Sequence, residues 1–181
     1  MNTLAFIIMT VALLAIVIAF TWYMNYYISM NLMNTVNYIS SLITSALKHE
    51  FETAISIASF NDVVGSFNFT LMLPTSSFST QGLAINYKIT LYPHQERGSN
   101  VIELMANITV MASLGPITRI MNTTTLLYSS TQPYTIEAYN CINNPNSPVT
   151  LIGSSSSNIE SCTWSNIDIQ LGRAIISISK G

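Results

Sequence analysis

Residues 4–24 read LAFIIMTVALLAIVIAFTWYM, apolar but for Thr10 and Thr21, and no charged residue precedes Lys48. A run of about twenty apolar residues is long enough to cross the hydrocarbon core of a bilayer as a helix. Such a span normally carries Lys or Arg beside one end, which sets its orientation; this run has neither on either flank. Two readings follow. Either a basic leader ahead of Met1 has been removed, or the helix ends packed against other protein rather than lipid. Both separate the run from an ordinary membrane anchor.

Within the run, Ala5, Ala12, Ala15 and Ala19 recur at spacings of seven, three and four, which places them in one narrow stripe on a helix. Ala15 and Ala19 form a small-xxx-small pair, the spacing that lets neighbouring helices approach closely. Ile, Leu, Val, Met and Phe fill the rest of the circumference, and a helix apolar on all sides must be enclosed on all sides, by lipid or by other helices.

The helix is expected to continue well past the run. No Pro or Gly interrupts the chain before Gly65. Ile28, Leu32, Val36, Ile39, Ile43, Leu47, Ala54, Ile55 and Ala58 keep helical spacing, with Asn25, Ser29, Asn34, Asn37, Ser41 and Ser45 on other faces. The aromatic cluster Trp22, Tyr23, Tyr26 and Tyr27 marks either an interfacial belt or packing where the helix leaves a bundle. Asn61-Asp62 and Gly65 read as the stop. A helix over 3–59 is roughly 85 Å long at 1.5 Å per residue, far more than a bilayer core of about 30 Å. Lys48, His49, Glu50 and Glu52 are the first charges; no second His completes a zinc-protease pattern after His49-Glu50, so they read as a solvated face.

From residue 63 the period changes from 3.6 to 2. Alternating segments at 67–73, 83–91, 101–112, 117–128, 134–142, 149–152, 159–164 and 167–178, the last broken near Gly172, are separated by turn-rich stretches at 93–100, Gly115-Pro116, 129–133, 143–148 and 153–158. Short strands at regular intervals argue an antiparallel sandwich or barrel, and about 115 residues in roughly eight strands suit one compact β domain. The expected class is therefore α+β: a helix over 1–60 followed by an antiparallel β-sandwich (Ig-like) head over 61–181.

Charge is scarce, 8% of the chain against about 25% in an average soluble domain. A net charge of −2 offers no basic footprint for nucleic acid. Cys141 and Cys162, with no Cys-x-x-Cys pair and no His cluster beside them, read as a disulfide rather than a metal site, which places this region outside the cytosol. Three sequons occur, at Asn68, Asn107 and Asn122. The strand phase of Asn68 and Asn107, opposite Phe67/Phe69 and Ile108/Val110, turns both outward, where a glycan has room. No nucleophile elbow, phosphate-cradling loop or close carboxylate pair is present in the β region, so neither an enzyme nor a cofactor is expected.

An uncharged apolar helix that becomes amphipathic, followed by a Ser/Thr-rich β head with sequons, resembles the archaeal type IV pilins across the whole chain. That resemblance implies a leader cleaved before Met1, apolar helices packed in a filament core, and glycosylated heads outside. It also implies a membrane-inserted subunit before assembly, then a homopolymer that contacts surfaces or other cells. Ala5 stands where bacterial relatives usually carry Glu, which fits the archaeal branch. Archaellins, the subunits of archaeal motility filaments, share the architecture. The competing class is a monotopic cell-surface protein whose β domain binds an envelope layer.

Overall fold

The computed structural model describes residues 3–60, 65–73, 82–95, 101–130, 134–153 and 160–180. The Asn61-Asp62 stop, Pro74, the 96–100 part of the first predicted turn, residues 131–133 and the 154–158 part of the Ser-rich loop lie outside them, as does Met1.

One helix, α1, runs unbroken over Thr3–Ser59, as the absence of Pro and Gly allows. Eight strands follow: β1 (Ser66–Thr70), β2 (Leu83–Gln95), β3 (Ile102–Leu114), β4 (Ile117–Ser130), β5 (Tyr134–Tyr139), β6 (Val149–Ile152), β7 (Cys162–Ser165) and β8 (Ile175–Lys180), with a short helix α2 (Asn166–Gln170) between the last two. They form two four-stranded antiparallel sheets, ordered β1-β8-β5-β6 and β4-β3-β2-β7. The α+β class, a long helix joined to an antiparallel sandwich, is thus the observed architecture.

The second half of α1 belongs to the core of the sandwich. Leu32, Val36, Ile39, Ile43, Leu47, Phe51, Ala54 and Ala58 are buried, one every three or four residues, and this stripe lies against β3 and β4. On β3 the alternate residues Leu104, Ala106, Ile108, Val110 and Ala112 are fully buried while their neighbours are half-exposed. Ile108 pairs with Thr123 across the ladder, and Thr123 Oγ1 meets the buried Ser40 Oγ at 2.6 Å. The helix therefore lies on the inner face of its sheet, and helix and sheets share one hydrophobic cluster. Phe51 closes the far end, edge-to-face with Phe69 at 5.7 Å. At the helix C-terminus Lys180 Nζ donates to Phe60 O at 2.9 Å, a cation where the helix dipole favours one.

Several expected boundaries move. The predicted strand over 167–178 is wrong in its first half. Ser165 caps α2 and shares a capping box with Asp168. The turn closes with Arg173 N on Asp168 O at 2.9 Å and Gly172 N on Ile169 O at 3.0 Å, a Schellman motif that needs the positive φ of 66° at Gly172. The strand begins only at Ile175. The first strand stops at Thr70, β5 stops at Tyr139, and β7 starts at Cys162. The expected turn at 93–100 starts late because β2 runs through Pro93 to Gln95; β7 pairs only with Lys88–Leu91, so Pro93 lies beyond that pairing, where a missing N–H is tolerated.

Cys141 and Cys162 are joined, with Cα atoms 5.2 Å apart. Cys141 follows the last residues of β5 in one sheet and Cys162 opens β7 in the other, so the bond staples the two layers together. Ile142 N on Thr163 O at 2.8 Å and Thr163 N on Asn143 Oδ1 at 3.1 Å reinforce the crossing. Trp164, fully buried on β7, donates its indole N–H to Tyr139 O at 3.0 Å.

Candidate functional site: an exposed apolar helix

Residues 3–27 of α1 are exposed throughout, and the buried stripe of the helix begins only at Leu32. At 1.5 Å per residue this free segment is roughly 38 Å long. From Leu4 to Tyr23 each large apolar side chain is 51–72% exposed. A contiguous apolar surface of this size marks an interaction site for protein or membrane, and by length and composition the helix is able to cross a bilayer.

The two threonines inside the apolar run turn back on the helix itself. Thr10 Oγ1 donates to Ile7 O at 2.9 Å and Phe6 O at 3.1 Å, and Thr21 Oγ1 to Val17 O at 2.8 Å. Both threonine hydroxyls are thus satisfied within the helix, which is what a non-aqueous surrounding demands. Reading Thr10 and Thr21 as exceptions to an apolar run missed this; their i−4 carbonyls were the available signal. Ala5, Ala12, Ala15 and Ala19 are all exposed on this segment. At its end Trp22 and Tyr26 stack, ring centres 6.1 Å apart.

The other residues singled out from sequence are scattered over the head. Asn68 on β1 and Asn122 on β4 are exposed. Asn107 sits on the outer face of central strand β3, between Thr90 and Thr124, and is half-buried; its Oδ1 is enclosed without a hydrogen bond. His49 is exposed at the rim of a shallow groove between α1 and β1, beside Phe67 and Phe69. The adjacent Glu50 carboxylate is taken up by Met72 N–H, at 3.0 and 3.2 Å. Burial pushes the Glu50 pKa above its ordinary value, outweighing that bond and the nearby His49. Burial also pushes the Tyr87 phenol up to about 12. Among the described residues no group of three or more His, Cys, Asp or Glu is placed to hold a metal.

A free apolar helix rooted in a two-sheet β domain is the broad architecture shared by pilins and archaellins. The chain matches no protein-family model, no curated protein and no solved structure.

Proposed function

We propose that the protein is the structural subunit of an extracellular filament of the archaeal type IV pilus kind, held in the membrane by α1 before assembly and polymerising through that helix afterwards. The reading rests on one observation: residues 3–27 form a helix apolar on every side, exposed on every side, and rigidly continuous with a stripe buried in the head. A single lipid anchor needs only the free part. Rigid continuity with a helix seated in a sandwich core instead fixes the angle at which the head stands on its helix, as a repeating lattice requires. Each subunit offers one flank of α1 to the next and another to the last, a heterologous contact that need not close, so helical growth follows. The head, with its few charges and its sequons, forms the outer surface that meets other surfaces or cells. Its role is mechanical, not catalytic.

Shearing cells that express the full chain and imaging the supernatant by negative stain tests the reading. Filaments that bind antibody against the head support it. Full chain found only as membrane-held monomer, under conditions where the assembly machinery is active, overturns it in favour of a monotopic surface protein.

A further inference from the structure

The β3–β4 connection reaches back toward the apolar segment. Leu114 pairs with Ile117, so Gly115-Pro116 is a two-residue turn. Gly115 has φ 56° and the Pro116 ring forbids a positive φ, which selects the type II′ geometry that continues the sheet twist. From this turn β4 climbs beside α1. Arg119 Nε donates to Ser29 Oγ at 3.0 Å, with Nη2 on the same oxygen, and four residues on Thr123 meets Ser40. Eleven helical residues advance roughly 16 Å and four strand residues roughly 13 Å, so hairpin and helix run close to parallel. Pro116 lies three residues before Arg119, roughly 10 Å of strand. That puts the turn near the level of Trp22 and Tyr23, six or seven residues below Ser29 at about 1.5 Å each. A shallow groove lined by Asn25, Ser29, Pro116, Ile117, Thr118 and Arg119 joins the two elements there.

At one level of the molecule, then, stand the end of the apolar segment, four aromatic rings, an exposed turn and a guanidinium. Among the described residues the Arg119 hydrogen bonds go to Ser29 Oγ and to Thr118 O at 3.4 Å, neither of them charged, so no described carboxylate pairs with it. Ile120 beside it is 58% exposed. Lys48 lies nineteen residues further along α1 than Ser29, and Lys88 five residues up β2 from Leu83, so neither shares this level. Aromatic rings and a basic residue at the end of an apolar helix are the composition of a lipid headgroup interface, and arginine matches phosphate through its planar fork.

We propose that the β3–β4 turn is a foot that rests on the membrane surface before assembly, with Arg119 bridging Ser29 and a lipid phosphate. This rests on the reading that α1 is membrane-held at that stage. The foot sets the head directly on the bilayer and fixes its rotation about the helix, since only one side of α1 carries the hairpin.

The full chain, its disulfide intact, is reconstituted in phosphatidylcholine–phosphatidylglycerol vesicles carrying a fluorophore at Pro116→Cys, Ala12→Cys or Ser129→Cys. Quenching is measured with nitroxide placed on the lipid headgroup or in mid-chain. The Pro116→Cys label should be quenched chiefly from the headgroup, the Ala12→Cys label from mid-chain, and the Ser129→Cys label, at the far end of β4, from neither. Adding Arg119→Gln should lower the docked-to-free ratio of the foot ~5-fold, the effect of one basic residue near an anionic surface, and Arg119→Lys should restore most of it. A Pro116→Cys label as unquenched as that at Ser129→Cys, with Ala12→Cys still quenched, overturns the foot alone. An unquenched Ala12→Cys label overturns the membrane-held helix as well. An Arg119→Gln chain that docks as wild type does removes Arg119 from the contact.

Discussion

Replacing Ala15 by Asp separates assembly from folding, because Ala15 lies in the free segment, seventeen residues before the first buried position, Leu32. The head should be indifferent to it: substitutions away from packed or bonded groups change stability by about 0.5 kcal/mol or less. The filament should not be. Eleven Leu, Ile, Val and Phe side chains lie between Leu4 and Phe20, each more than half exposed in the single subunit. Burying them among neighbours contributes about 1–2 kcal/mol each, roughly 10–20 kcal/mol together. The loss of translational and rotational freedom offsets about 4–15 kcal/mol of that. An unpaired carboxylate in such a core costs about 3–5 kcal/mol, a rise in critical concentration of roughly a hundredfold to several thousandfold at about 1.4 kcal/mol per tenfold. Membrane insertion should survive. The same eleven residues favour insertion by about 3–7 kcal/mol on the translocon scale, while one central Asp opposes it by about 2.5–3.5. The assay is sedimentation and negative stain of sheared material, beside a thermal melt of the purified chain in detergent. Ala15→Asp should leave the melt unchanged, leave the subunit in the membrane fraction and abolish filaments. Ala15→Ser, able to return its hydroxyl to the i−4 carbonyl as Thr10 and Thr21 do, should polymerise normally. Filaments of Ala15→Asp at wild-type concentration would refute the reasoning.

Intact mass before and after reduction and alkylation should show two thiols appearing only on reduction, and the Cys141→Ala/Cys162→Ala head should lose roughly 3 kcal/mol of stability in the chain-entropy account of a 21-residue separation; alkylation of native protein without reductant contradicts this. Glycopeptide analysis of protein from its own source should find sugar additions at the exposed Asn68 and Asn122 and lower occupancy at half-buried Asn107, and three bare peptides would end the glycoprotein reading. The Glu50 carboxyl, raised by burial above its ordinary 4.5, contributes stability fully present below the unfolded pKa and lost as pH rises through the folded one. Wild type should therefore lose stability relative to Glu50→Gln as pH climbs from about 4.5 toward neutrality; a flat or opposite difference between the two melting curves contradicts that sign.

The helix was legible in the chain because every signal agrees along it: no breaker, helical spacing, and a change from all-round to one-sided apolarity. Phe51 stands four residues after Leu47 and three before Ala54, a spacing that marks it for the core, but it is flanked by Lys48, His49, Glu50 and Glu52, which give this turn of helix a polar local composition. Ser40, a polar residue beside Ile39, is buried because Thr123, eighty-three residues later, supplies its partner. Such a pairing has no local trace. At Ile167 and Ile169 alternation suggested a strand, but two residues cannot distinguish period 2 from one helical turn. The Ser165-x-x-Asp168 capping box and Gly172 were the deciding signals. The division of strands between sheets, and the disulfide's crossing from one to the other, depend on contacts between distant segments. The alternation pattern assigns each strand a buried face but not a neighbour.

The self-contained hydroxyls of Thr10 and Thr21 bear on the mechanics of a fibre made from this helix. Dispersion and exclusion of water hold such helices together, and neither force has a direction. Between residues 4 and 21 the side chains offer no free hydrogen-bond donor and no charge to lock one helix in register with the next. A slip of a residue or two along the axis exchanges one hydrocarbon contact for another of similar strength, with the alanine stripe as the main shape constraint. A cable of this kind resists being pulled apart yet yields to stretch and twist, and it can settle at more than one helical pitch while each head keeps its fold.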